Sequence, residues 1–88
     1  MLEYHAAYYQ IEDGWYLAKV LDFPGVVTQG KTLNAARSML RDALQEMALW
    51  NMEEGKSFPR PNRITRDHKA VVLEPIRLTV RAFSGASA

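Results

Sequence analysis

Leu33, Ala36, Leu40, Ala43, Leu44 and Met47 recur at intervals of three and four residues, the spacing that lines one face of an α-helix. The pattern predicts a helix from Leu33 to about Glu53 with that stripe buried, while Arg37, Arg41, Asp42, Gln45 and Glu46 fall largely away from it. Thr32 stands ahead of the helix as an N-cap, since its hydroxyl can accept from an orphan amide of the first turn. Gly55 suits the position just past the end, where the backbone turns left-handed. Trp50, near the end of the stripe, is expected at the edge of the core.

Upstream the period shortens to two. Glu3 to Ile11 is rich in tyrosine and alternates as a strand does, and Trp15 to Leu21 reads as the returning strand. Asp13-Gly14 between them is a hairpin signal, because glycine takes positive φ readily. On the returning strand Tyr16, Ala18 and Val20 share one face, with Trp15, Leu17 and Leu21 on the other, interrupted by Lys19. Asp22-Phe23-Pro24-Gly25 is a turn and Val26 to Gln29 a short third strand. Residues 56–69 carry Pro59 and Pro61 and are expected to lack regular structure. From Ala70 strand character resumes: Ile76, Leu78 and Val80 alternate with Arg77, Thr79 and Arg81, and Pro75 requires an edge position or a bend. The order β-β-β-α-β predicts an α+β fold, an antiparallel-rich sheet with one long helix on one face. One domain is expected over residues 1–83, followed by a frayed tail at 84–88.

The 88 residues suffice for one small core, and 48% hydrophobic with 24% charged residues is ordinary globular composition. The absence of cysteine excludes disulfides and thiolate metal sites and is compatible with the cytoplasm. No apolar run is long enough for a membrane span, and the N-terminus with Glu3 and no basic stretch is not expected to be a secretory signal. Charge is uneven: residues 1–54 hold four Lys/Arg and eight Asp/Glu, a net −4, whereas residues 55–88 hold seven and two, a net +5. An acidic front suits a basic partner, and a basic back suits nucleic acid or an acidic protein.

Gly25 to Thr32, G-V-V-T-Q-G-K-T, matches the phosphate-binding P-loop pattern. The pattern needs a parallel sheet and an open loop, yet Val26-Val27-Thr28 has β-branched strand character and one helix cannot build βαβ units. The match is read as accidental. Two-metal nuclease chemistry would need converging carboxylates, and Glu3, Glu46 and Glu74 lie on three different elements. His5 and His68 have no ligand or nucleophile constellation around them and are read as a strand and a loop residue. No catalytic, metal or cofactor site is expected. Trp15, directly after the turn, is either a core residue or an exposed indole that anchors a partner.

Taken in order, Asp22-Phe23-Pro24-Gly25, then Thr28 and Gly30, Thr32, Gly55, and Pro59-Arg60-Pro61 resemble the HicB family, antitoxins of HicA–HicB toxin–antitoxin pairs. The resemblance extends over roughly residues 4 to 81. Two departures stand out: Lys31 where the family usually has an acid, and Ala35 where a capping-box glutamate is common. The resemblance implies a partial ribonuclease H-like fold and a non-catalytic protein that masks a HicA-like toxin, a small basic ribonuclease. Glu12, Asp13, Asp22, Glu46, Glu53 and Glu54, with Trp15, are the candidate partner-binding residues, expected to cover the toxin's basic face. Only seven residues follow Arg81, too few for the operator-binding module that many members carry, so DNA binding by this chain alone is not expected. Uncovered sheet edges point to a homodimer or tetramer. The alternative is a nucleic-acid-binding module using Lys56, Arg60, Arg63, Arg66 and Lys69, although Phe58 is the one aromatic in that run that offers a base a stacking surface.

Overall fold

In the computed structural model, residues 2–79 are described; Val80, Arg81 and the expected tail at 84–88 lie outside them. Strand β1 spans Leu2–Gln10, β2 Tyr16–Val20, β3 Val27–Gly30 and β4 Val72–Leu78, with helix α1 at Leu33–Glu53. The strands form one antiparallel sheet in the order β3-β2-β1-β4. The α+β class and the β-β-β-α-β order read from the sequence hold. Strand ends differ by a residue or two: β2 omits Trp15 and Leu21, β3 is shifted by one, and β4 begins at Val72.

Asp13 (φ 62°, ψ 26°) and Gly14 (φ 78°) both take left-handed backbone, the twist that a tight right-handed hairpin requires. Tyr4, Ala6 and Tyr8 of β1, Ala18 and Val20 of β2, and Ile76 and Leu78 of β4 turn to one face. Ala36, Leu40, Leu44 and Ala48 of α1 pack onto them, with Leu33, Ala43 and Met47 partly buried around the rim.

The helix begins where the Thr32 hydroxyl accepts the Ala35 amide at 3.0 Å. It ends in a left-handed glycine: Gly55 (φ 70°) donates to the Met52 carbonyl and Lys56 to that of Asn51, so the last carbonyls are satisfied. Trp50 corrects an expectation. It is 60% exposed. Near the C-terminal end of α1 it points beyond the edge of the sheet, beside Gly25 and Val27 of the β3 side.

Gly30 sets how α1 lies. A Cβ there would sit 2.5 Å from the Ala36 nitrogen and 2.9 Å from the Ala35 carbonyl carbon, so the first turn of α1 rests directly on the end of β3. At the other end Gly25 lies against Met47. The helix therefore runs back along β3, antiparallel to it, and its flanks differ. Arg37 on one flank reaches over the sheet to Glu74 of β4, with Nε and Nη2 at 2.9 and 3.0 Å from the carboxylate. Ala43, Glu46 and Trp50 on the other flank overhang β3.

Candidate functional site

Two parts of the family pattern, the turn at Asp22 and the stretch around Pro59 and Pro61, meet at one buried carboxylate. Asp22 follows β2, and its side chain is 3% exposed. Its Oδ1 accepts the His5 amide at 2.8 Å; its Oδ2 accepts the Asn62 amide at 2.9 Å and faces His5 Nδ1 at 2.9 Å. Burial pushes this carboxyl up, but the Asn62 amide, the His5 ring and the His5 amide together hold it below the ordinary carboxylate value. Phe23, next in line, is fully buried, edge-on to Tyr4 at 5.2 Å and 6.2 Å from Phe58. The Tyr4 hydroxyl donates to the Pro59 carbonyl at 2.7 Å. The Asp22-Phe23-Pro24-Gly25 turn and the Phe58–Asn62 stretch are thus joined directly by the Asn62–Asp22 bond and the Phe23–Phe58 contact, and Tyr4 of β1 ties the same stretch to the sheet. Pro59 and Pro61 favour an extended stretch, which passes the end of β2 from Tyr4 on the helix face to Tyr9 on the helix-free face.

Further along, the Tyr9 hydroxyl donates to Asp67 Oδ2 at 2.7 Å, so the linking segment stays against β1. Burial and that bond push the Tyr9 hydroxyl up to about 12. Ala7, on the helix-free face, is fully buried under this cover. The segment has no regular structure, as its prolines require, but it is firmly attached.

The candidate partner-binding acids separate into groups. Glu12, Asp13 and Trp15 sit at the β1–β2 hairpin, where Trp15 is half-buried and Lys31 Nζ lies 5.8 Å over its ring. Glu53 and Glu54 are exposed at the far end of α1, one helix length away (about 30 Å at 1.5 Å per residue). Glu46 is exposed on the β3 flank with Trp50, at an open groove of about 480 Å³ that Val26, Val27, Ala43 and Met47 also line. Asp22 does not join them. It is turned inward with both oxygens engaged, which corrects its assignment to a docking surface. Its type and position in the turn matched a family pattern, but nothing local in the sequence announced partners at residues 5 and 62.

Among the basic residues, Lys56 pairs with Glu54 at 3.3 Å, while Arg63 and Arg66 border a small cleft with His5 and Thr65. Lys56, Arg60, Arg63, Arg66 and Lys69 are all exposed along the linking segment. Gly25 to Thr32 forms a turn and a strand, and Val26, the second residue of the apparent P-loop, is a buried core residue. Glu74 pairs with Arg37 on the helix face and Glu3 with Arg77 on the opposite face, so those acids do not meet Glu46. No group of three or more His, Asp or Glu able to hold a metal occurs among the described residues.

Comparison with known proteins places this arrangement. The model of the UPF0150-like family matches residues 4–59, the sheet core, α1 and the start of the linking segment. A comparison with curated proteins returned no match. The N-terminal domain of the Burkholderia pseudomallei antitoxin HicB superposes with a TM-score of 0.74 at 21% identity, over 90% of this chain and 100% of that domain. The longer HicB antitoxin of the same organism superposes with a TM-score of 0.71 at 21% identity, over 89% of this chain and 64% of that one. The buried-aspartate turn and the capped helix fall together within the matched region, which ends at Pro59, and the chain belongs to the UPF0150-like family, with the fold of the HicB antitoxin N-terminal domain.

Proposed function

We propose that this protein is a HicB-like antitoxin: a non-catalytic, cytoplasmic binding protein that docks a HicA-like ribonuclease toxin, masks its basic RNA-binding face and self-associates as a dimer or tetramer. The likeness in fold to the HicB N-terminal domain over that domain's whole length carries the reading. Surface chemistry supports it. The exposed acids Glu12, Asp13, Glu46, Glu53 and Glu54 suit a partner that presents arginines and lysines, and the exposed Trp50 and half-buried Trp15 supply aromatic anchors. Masking asks nothing reactive of this chain. It asks for a rigid surface, which the sheet, the capped helix and the pinned segment provide.

Co-expression with a small basic ribonuclease of the HicA type tests the proposal. Growth should be rescued and the two chains should co-purify. Replacing Glu12, Asp13, Glu53 and Glu54 together by lysine should slow association by about tenfold or more and abolish rescue, with less effect at high salt because the steering is electrostatic. Failure of the native chain to bind any such toxin would overturn the reading. Binding of RNA at physiological salt, lost when Lys56, Arg60, Arg63, Arg66 and Lys69 become alanine, would favour a nucleic-acid-binding role instead.

A further inference from the structure

We infer that β3 is a self-pairing edge: two copies join β3 to β3 about a two-fold axis at Thr28, making one continuous eight-stranded sheet. This rests on the proposed self-association and not on the identity of any toxin.

The ladder dictates the register. Val20 donates to Val26, and Ala18 and Tyr16 face Thr28 and Gly30, so the backbone groups of residues 26, 28 and 30 point inward. Those of Val27 and Gln29 point outward, and among the described residues nothing pairs with them. Two outward-facing residues spaced two apart complement their own copies: Val27 opposes Gln29 of the second copy and Gln29 opposes its Val27. Four hydrogen bonds form, and the Thr28 residues meet as a close non-bonded pair.

The strand carries none of the usual deterrents, since Val26 to Gly30 contains no charge and no proline. Four residues alone bury too little surface for a stable dimer, but α1 supplies more. Its β3 flank carries Met39, Ala43, Glu46 and Trp50 at helical spacing; Met39 is 49% and Trp50 60% exposed. Because α1 runs antiparallel along β3, the same axis sets the two flanks side by side, with each Trp50 near the start of the other copy's helix.

The axis also reunites the divided acidic set. Along the strand direction, the hairpin tip at Asp13 and the helix end at Glu53–Glu54 each lie roughly 16–20 Å from Thr28, on opposite sides, by strand and helix rise. Pairing brings the hairpin acids of one copy to the level of the other copy's helix-end acids. A partner with a broad basic face would meet both groups only in the dimer.

Light scattering on the purified chain, with disulfide trapping, tests this. The native protein should show twice the 10.0 kDa chain mass. Val27→Pro, which removes an outward donor but no bond to β2, and Trp50→Glu, at an exposed position, should each halve it with the fold intact by circular dichroism. The chain has no cysteine, so Thr28→Cys should cross-link to dimer under mild oxidation, its Cα atoms about 4.5 Å apart, while Ile64→Cys, at an 81% exposed position on the linking segment, should not. A native monomer at tens of micromolar would overturn the self-association and this inference with it. A dimer that survives both substitutions and leaves Thr28→Cys unlinked would overturn the β3 assignment alone. Loss of toxin binding with the dimer intact would count against the proposed function and leave this pairing standing.

Discussion

Along β4, Pro75 takes the place of an outward amide, Arg77 stands charged beside it, and the linking segment from Asn62 to Lys69 covers the adjoining helix-free face. Along β3, at the opposite margin of the same sheet, Val27 and Gln29 stand exposed with no charge, no proline and no covering chain among the described residues. The proline's position on β4 is specific. His5 directs its amide and carbonyl toward β2, to Asp22 and Leu21, so Pro75 opposite it turns its nitrogen outward, where a missing N–H leaves nothing unpaired. The difference is not imposed by packing. Val27 and Gln29 project from the helix-free face, and a lysine at either would touch nothing in the core. An edge that carries no guard although one would fit is an edge available for pairing.

The attachment of α1 to β3 can be broken most severely at Gly30. A valine there drives carbon into the backbone of Ala35 and Ala36, which cannot shift without lifting the first turn of the helix off the strand. The expected cost is about 3 kcal/mol or more. Urea denaturation should show it as a large fall in midpoint at unchanged slope; a loss under about 1 kcal/mol would mean that the helix is not seated on the strand end.

The covered margin is tested at Asp22. Asp22→Asn keeps the size but loses the charge that three donors address, and it sets an amide against at least one of them. The expected loss is about 2 kcal/mol. The sign of the pH dependence follows from the lowered carboxyl. Relative to an unfolded value near 3.8, the ionised form is favoured in the fold, so the stabilisation is fully present above pH 5 and is lost as pH falls through the lowered value. The asparagine variant should therefore lack that part of the native protein's acid-induced loss. Parallel acid limbs in urea titrations at pH 3 and 7 would rule the carboxylate out as the anchor.

Thr32→Ala addresses the junction that leads from β3 into α1. Removing a hydroxyl that satisfies the Ala35 amide should cost about 1 kcal/mol, and with alanine already at position 35 no reciprocal side-chain bond compensates. Serine at position 32 should restore most of it, a control that separates capping from packing in thermal melts.

How much of this was legible depended on range. The helix limits followed from the period of Leu33 to Met47 with Thr32 and Gly55 as its stops, and the Asp13-Gly14 hairpin followed from two residues. Those signals are local, and they held. Asp22 was misassigned because a carboxylate reveals nothing of partners at positions 5 and 62, where two of its donors are backbone amides that have no side-chain signature. Trp50 was placed at the core edge because it continues the apolar pattern. Whether a helix position is covered depends on how far the sheet extends beneath it, and α1 outruns the four-residue β3. The Arg37–Glu74 pair was invisible for a related reason: it needs the strand order, which puts β4 on the far margin from β3. The family pattern located the important turn but not the contacts that make it important.

The smallest effect on stability belongs to Pro75→Thr, and it bears most directly on the contrast between the margins. Position 75 lies on the helix-free face with its nitrogen outward, so threonine should alter the stability of the isolated chain by less than about 0.5 kcal/mol. It restores one outward N–H and a side chain that favours extended backbone. The informative background is Val27→Pro, Trp50→Glu, in which the β3 route is closed and the chain is expected to be monomeric. There Pro75→Thr should let β4 pair weakly, seen as an average mass that rises with concentration in light scattering, while Arg77 and the linking segment limit its strength. Adding Arg77→Thr should strengthen that association, because a second guard has gone. If both substitutions leave the mass at that of one chain, the covering segment, held by Asp22 and by the Tyr9–Asp67 bond, closes this margin, and the proline is there for its fixed φ.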